Sequence, residues 1–260
     1  MKRYYFIIII ILFLPITAQN TELLEIQKKI IKEFSKIDDY KVDINVKINM
    51  TGFRMPKKKI KMFFKKPNKL NIKTKGFAII PKNGINNNPN DLFEMFNYNN
   101  IDVNRTIRNN KQFYFISGSV NPDSLDIPIA NYQSEKPNLN MNLLIDAKEW
   151  IITEVEIFLD SEKFLSIKTD YININNIMVP EETKLIIGIK EISRIKNNFN
   201  NEIVFNSDND LAKASGLSFN NDEFKGEITM NFSNYVINQG IDDKVFINII
   251  YIFIYNFTFS

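Results

Sequence analysis

From Tyr40 to Met50 the chain alternates without a break. Tyr40, Val42, Ile44, Val46, Ile48 and Met50 are apolar, and Lys41, Asp43, Asn45, Lys47 and Asn49 between them are polar. Strict period 2 over such a length fits an extended strand with one wet face and one apolar face, because a helix would scatter the same residues around its axis. The phase returns in Ile60, Met62 and Phe64 of the run Lys59 to Lys65, and in Leu70 and Ile72 of the run Lys69 to Lys75. Pro67-Asn68 separates the last two runs and reads as a turn, since proline fixes φ and asparagine tolerates turn geometry. The result is an antiparallel meander with one continuous apolar face. What that face touches is the functional question.

Ahead of these strands, Leu23, Ile26, Ile30, Phe34 and Ile37 recur at spacings of three and four, which predicts an amphipathic helix over Asn20 to Ile37. Asn20 or Thr21 is the expected cap, and Glu22 and Glu25 suit the positive end of the macrodipole. Beyond the strands, Phe77 to Pro81 reads as a short strand and Lys82 to Asn90 as a loop. Asp91 to Tyr98 reads as a short helix capped by Asn90 or Asp91. Strands are expected over Ile101 to Arg108 and Gln112 to Ser119, joined at Asn109-Asn110, with an irregular connection from Asn121 to Asn138. Further strands are expected over Leu139 to Ile145, Trp150 to Leu159, Lys163 to Ile174 and Lys184 to Ile189, with a turn at Pro180 before the last. Residues 191–222 are polar and lack a period. A final strand runs from Gly226 through Phe232 into Asn234-Tyr235-Val236, for nine or ten strands in meander order.

The start of the chain has the three-part layout of a secretory signal: Lys2 and Arg3, an apolar run from Tyr4 to Leu14, and a polar segment ending in Ala18-Gln19. Cleavage is expected after Ala18. That removes Lys2 and Arg3 and takes the net charge from +3 to +1, so no global charge argument for nucleic acid survives. There is no cysteine, so an apolar core rather than disulfides must hold an exported chain together. There is no histidine either, which excludes a Ser-His-Asp triad and His-ligated zinc. The remaining catalytic candidates are acidic: Glu154 and Glu156 on one strand face, as paired glycosidase carboxylates would be, or Asp242 and Asp243. Such pairs are usually just the wet side of a strand. Asp208-Asn209-Asp210 resembles the start of a calcium loop without its glycine or closing glutamate. Between Arg54 and Lys82 lysines are frequent and acids absent; this reads either as a docking face for an anionic membrane or acidic protein, or as the solvated side of strands. From Val245 to Phe259 no residue is charged, and isoleucine and aromatics dominate. That run is too short for a membrane-spanning helix and reads as a last strand.

Two stretches resemble a known family. Tyr40 to Val46 with Phe64 to Pro81, including the Lys66-Pro67-x-Lys69-Leu70 turn, is similar to the N-terminal half of the LolA-like outer-membrane lipoprotein carrier and sorting proteins. Phe232 to Phe246, containing Asn238-Gln-Gly240, resembles their closing segment. The resemblance implies a mainly β fold with α: a strongly curved antiparallel half-barrel sheet, covered on its concave side by an N-terminal helix and one or two short helices. It implies a signal peptide at 1–18, a single LolA-like domain at 19–246 and an apolar tail at 247–260. It implies a non-enzymatic periplasmic carrier, without cofactor and monomeric, that shields lipid or lipoprotein acyl chains between an inner-membrane donor and an outer-membrane acceptor. The implied lining is Ile44, Val46, Ile60, Met62, Phe64, Leu70 and Ile72, with Ile30 and Phe34 of the helix above them. Arg54 or a nearby lysine stands for the family's early basic residue. The 191–222 segment and the apolar tail depart from the family pattern. A sensor or interaction module of the same fold is the alternative, and an enzyme on extracytoplasmic glycans is a third reading.

Overall fold

The computed structural model describes residues 14–50, 53–54, 57–74, 88–121, 138–190 and 223–247. Helix α1 spans Leu14–Phe34. The strands that follow it are β1 (Asp39–Met50), β2 (Phe53–Arg54), β3 (Lys58–Lys65) and β4 (Lys69–Thr74). Helix α2 (Pro89–Glu94) leads to β5 (Phe96–Arg108), β6 (Lys111–Val120), β7 (Leu139–Asp146), β8 (Ile151–Leu159), β9 (Glu162–Ile174), β10 (Ile177–Lys190) and β11 (Glu223–Ile237), with α3 (Lys244–Ile247) last. All eleven strands form one antiparallel sheet in the order β4-β3-β1-β11-β10-β9-β8-β7-β6-β5, with β2 paired to β1 outside that path. The sheet curls as an open half-barrel with α1 on its concave side.

This is a meander with one difference from the sequence expectation. The chain builds β1, β3 and β4 outward, restarts at the opposite edge with β5, and returns strand by strand until β11 zips onto β1. The first and last strands are therefore neighbours. Alternation fixes which face each strand presents but not which strand lies beside it, so this pairing is invisible in the pattern.

Two-residue hairpins set the register. Asn109-Asn110, Asp160-Ser161 and Asn175-Asn176 each carry two consecutive positive φ values, the backbone that suits the right-handed twist of paired strands and that asparagine tolerates. The third of these corrects the expected turn at Pro180. Proline lies inside β10, at the bulge between Pro180 and Glu182 where the ladder with β9 is already interrupted. A second bulge lies where β11 meets the start of β1: Asn234 is left-handed (φ 55°), and its amide donates to Asp43 Oδ2 (3.0 Å). It shifts the phase so that Phe232 and Tyr235 both face inward. At Gly118 on β6 an added Cβ would meet Asn100 O at 2.7 Å and Phe96 Cδ1 at 3.1 Å. Gly118→Ala is therefore expected to destabilise by roughly 1–3 kcal/mol, measured by urea unfolding.

The helices begin and end differently from the sequence expectation. Helix α1 starts at Leu14, so Asn20 and Thr21 lie inside it, and Glu22 and Glu25 are away from its first turn. It ends at Phe34, three residues before Ile37, whose amide donates to Phe34 O. Helix α2 is capped by Asn88, whose side chain accepts from Asn90 N, with proline next in the favoured first position. It stops before Phe96, which already belongs to β5. The expected strand at 77–81, the irregular segments 122–137 and 191–222, and most of the apolar tail lie outside the described residues.

Candidate functional site

The inner face of the sheet holds the strand residues that the sequence singled out. In β1, β3 and β4 one phase points inward throughout: Ile44 opposes Ile60, Tyr40 opposes Phe64, and Met62 and Phe64 oppose Ile72 and Leu70. On the other side of β1, Ile44, Val46 and Ile48 oppose Phe232, Met230 and Ile228 of β11. Leu185 of β10 completes this cluster, with Leu70, Ile72, Ile187, Phe232 and Tyr235 partly buried at its margin. A second cluster lies across β5 to β8, where Met141, Leu143, Ile116 and Ile145 meet Leu23, Ile26 and Ile30 of α1 and Phe93 of α2. Leu165 and Ile167 of β9 touch both.

The helix therefore covers the two halves unequally. Ile30 belongs to the β5–β8 cluster rather than to that of Ile44 and Val46. Phe34, one turn further on, reaches the other half by packing on Phe64 (ring centroids 6.2 Å). Two connections fasten α1 over β5–β8. Glu22 pairs with Arg105 of β5 (2.9 Å), whose guanidinium lies over Tyr114; Tyr114 stacks on Trp150, and Lys29 lies over that indole (4.1 Å). Gln27 donates to Asn90 of α2 (3.0 Å).

Sequence reasoning missed a set of hydroxyls on this inner face. Thr169 and Thr183, directly paired on β9 and β10, share a hydrogen bond (3.1 Å). Tyr171 donates to Ile152 O and Tyr235 donates to Pro180 O, each at 2.8 Å. Tyr40 stacks on Phe64 (5.2 Å) and meets the edge of Tyr235 (6.2 Å). Burial pushes the phenols of Tyr40, Tyr171 and Tyr235 well above their usual value. The only sequence signal was the position of these tyrosines in or beside apolar phases, where phenol and phenyl rings read alike.

The motifs behind the family resemblance meet at one end of the sheet. Asp39 is 5 % exposed, and its carboxylate accepts from Gln239 N (3.2 Å) and Gly240 N (3.0 Å). Asn238 accepts from Asp38 N (2.7 Å) and donates to Lys36 O (2.7 Å). Gly240 takes φ +77°, which glycine adopts without cost. Lys66, before the cis bond to Pro67, donates to Ser35 O (2.6 Å) and to Asp38 (3.0 Å). The two stretches thus form a clasp between the first strand, the last strand and the β3–β4 turn.

Three of the acidic candidates lie in ion pairs and the fourth caps a helix. Glu154 is held between Arg108 (3.2 Å) and Lys168 (3.1 Å), and Glu156 by Lys163. Asp242 caps α3 by accepting from Lys244 N. Asp243 bridges Lys65 (2.7 Å) and Lys69 (3.0 Å), and those two hydrogen bonds hold its carboxyl below the usual range. As a depressed carboxylate it stabilises the docked α3 above the ordinary aspartate pKa, and that contribution is lost as pH falls through the depressed value. Asp243→Asn should therefore make amide exchange at Val245 and Phe246 faster at neutral pH and remove its acid dependence, as read by hydrogen exchange against pH. The 208–210 segment lies outside the described residues, and among the described residues no His, Cys, Asp and Glu cluster suits a metal ion. No helix among the described residues is long and apolar enough to cross a membrane. Arg54 pairs with Asn49 across the β1–β2 hairpin.

No family model matches the sequence, and no curated protein matches it. Several solved structures are similar in shape. A DUF1329-family protein from Desulfovibrio piger superposes with a TM-score of 0.49 at 8 % identity, covering 85 % of this chain and 94 % of the other. A LolA-superfamily protein from Nitrosomonas europaea gives 0.47 at 10 % identity, over 84 % and 96 %. A domain described as an outer membrane lipoprotein-sorting protein from Vibrio parahaemolyticus gives 0.47 at 7 % identity, over 87 % and 97 %.

Proposed function

We propose that this protein is a periplasmic carrier. It binds lipid or lipoprotein acyl chains against the inner face of β4-β3-β1-β11-β10 and transfers them toward the outer membrane. One observation carries the reading: the apolar cluster on those strands contains no residue of α1 among the described residues, whereas the β5–β8 cluster is packed against three. Apart from Phe34 on Phe64, that half of the concave face therefore relies on something other than this helix for cover. Each methylene moved from water to that surface is worth about 0.8 kcal/mol, so an acyl chain held along a few strands binds firmly yet can be handed on. The signal-like start of the chain and the resemblance of the Tyr40–Val46, Phe64–Pro81 and Phe232–Phe246 stretches to lipoprotein carriers support the same reading. It requires no catalytic group or cofactor.

A specific observation favours a second reading. Val42, Ile44 and Met62 are 0 %, 1 % and 2 % exposed, as expected of an interior already filled. In that case the protein is a sensor or interaction module that recognises a partner through its surface. Mass spectrometry of organic extracts from the native purified protein separates the two. Acyl lipid at near-stoichiometric amounts supports the carrier, and a lipid-free protein that retains a membrane protein on affinity capture supports the sensor.

The lining has its own test. Leu70 and Ile72 sit on edge strand β4, half-buried at the margin of the cluster. Placing a carboxylate there should cost about 2 kcal/mol or less of stability, within the usual range for point substitutions. Leu70→Glu and Ile72→Glu are expected to lower recovered lipid several-fold while the protein still unfolds cooperatively. Unchanged recovery would place the cargo elsewhere.

A further inference from the structure

A band of hydroxyls crosses the inner face near the clasp, on β9, β10, β11 and β1 in turn. Tyr171 of β9 pairs with Pro180 of β10, Pro180 O accepts from Tyr235 of β11, and Tyr235 meets the ring of Tyr40 on β1. Thr169 and Thr183, the next inward pair on β9 and β10, bond each other, and Tyr171 donates to Ile152 O. Each of these four hydroxyls therefore has an internal partner. The Tyr40 hydroxyl has none among the described residues; its ring is held by stacking on Phe64 and by the edge of Tyr235.

The surroundings of that hydroxyl set what can satisfy it. Tyr40 is half-buried, so a ligand can reach it, and it packs against both apolar clusters of this half of the sheet. Its inward neighbours Val42, Phe64 and Ile237 are uncharged. No charged side chain contributes to the raised titration of Tyr40, Tyr171 or Tyr235, which comes from burial and, for Tyr235, from the other two phenols. The phenol is therefore a neutral donor without a cation beside it. An ionised carboxylate or phosphate set against it would lose its water of hydration for a single hydrogen bond, and that exchange is unfavourable. A carbonyl oxygen carries no charge and is satisfied by one donor.

We propose that the Tyr40 hydroxyl donates to the carbonyl of an esterified acyl chain, whose hydrocarbon runs from there along Ile44 and Val46 of β1. On the carrier reading above, on which this assignment rests, the cargo gains an orientation and a selectivity. Its polar end lies at the clasp, and neutral acyl esters are preferred to ionised fatty acids.

The test is equilibrium dialysis of the purified protein and of Tyr40→Phe against methyl laurate, ionised laurate and dodecane at about pH 8. The parent should bind methyl laurate about tenfold or more tightly than laurate, because the anion is desolvated without a counter-charge. Tyr40→Phe should bind methyl laurate about three- to tenfold more weakly than the parent, the range of one neutral hydrogen bond, and should bind dodecane as the parent does. An isotope-labelled carbonyl gives a second readout: its infrared stretch should lie at lower wavenumber in the parent complex than in the Tyr40→Phe complex. Thermal unfolding of the variant at neutral pH should match the parent, since the hydroxyl it removes has no partner among the described residues. Equal affinity of the two proteins for methyl laurate, with the carbonyl stretch unmoved, overturns the assignment and leaves the carrier reading standing if dodecane is bound. An equal loss for ester and hydrocarbon overturns it too, because Tyr40 then only packs. Laurate bound as tightly as its ester overturns the selectivity. A parent that binds neither methyl laurate nor dodecane overturns the carrier reading and the assignment with it.

Discussion

Asp39→Ala should lower the stability of the protein by about 3 kcal/mol, more than any other substitution of a polar side chain in the clasp. The carboxylate is buried and receives two backbone amides, from Gln239 and Gly240. Hydrogen bonds to a charged group are worth about 1.5–3 kcal/mol, and removing the acceptor leaves two donors facing an apolar methyl. The neighbouring Asp38 is the control: its side chain is exposed and makes one ion pair with Lys66, so Asp38→Ala should stay within about 0.5 kcal/mol of the parent. Asn238→Ala should approach the Asp39 effect, because it removes bonds to Asp38 N and Lys36 O and puts alanine at φ 54°, a left-handed backbone that asparagine tolerates better. The two residues share one network, so the double variant should cost less than the sum. Urea midpoints with unchanged slopes would measure all four. If Asp39→Ala unfolds with the parent, the Asp39 carboxylate does not help to hold the first and last strands together.

The clasp also marks the limit of what the sequence could reveal. The alternation of β1, β3 and β4, the hairpin at Asn109-Asn110 and the helical stripe of α1 are local patterns, and each appears where its period places it. The hairpin at Asn175-Asn176 has the same chemistry as Asn109-Asn110, but Pro180 nearby carried a stronger turn signal, and only the bulge in β10 explains how proline is tolerated there. The bulge at Asn234 inverts the phase for Tyr235, so a strictly alternating reading of β11 puts that ring on the wrong face. The inward phase was legible where it came from strands: Ile44, Ile60 and Met62 share one apolar cluster. It was less legible for the helix, because a stripe states that Ile30 is covered but not by which strands. The pairing of β1 with β11 and the convergence of the two family-like stretches span nearly the whole chain. No local period encodes them.

The inner-face tyrosines lead to the second large effect, at alkaline pH. Burial raises the phenols of Tyr40, Tyr171 and Tyr235 in the folded protein, and Tyr235 is raised further by its two neighbours. In the unfolded chain each titrates near pH 10. The folded state thus keeps protons that the unfolded state has released, so the stability linked to them is fully present below about pH 10 and is lost as pH rises above it. Each such proton contributes about 1.4 kcal/mol per pH unit, and three together give roughly 4 kcal/mol per unit. Unfolding should therefore be abrupt, with tyrosinate absorbance and loss of the far-ultraviolet dichroism coinciding. Tyr40→Phe keeps the ring stacked on Phe64 while removing one ionisable group, and should reduce the slope by about a third. The experiment bears on the proposed site as well. If the three phenols ionise near pH 10 with the fold intact, hydroxide reaches the inner face through an opening, and the half of the sheet left uncovered by α1 is wet rather than packed. If they ionise only with unfolding, the interior is closed in the resting protein, and any acyl chain it takes must enter by displacing what already covers Ile44 and Met62.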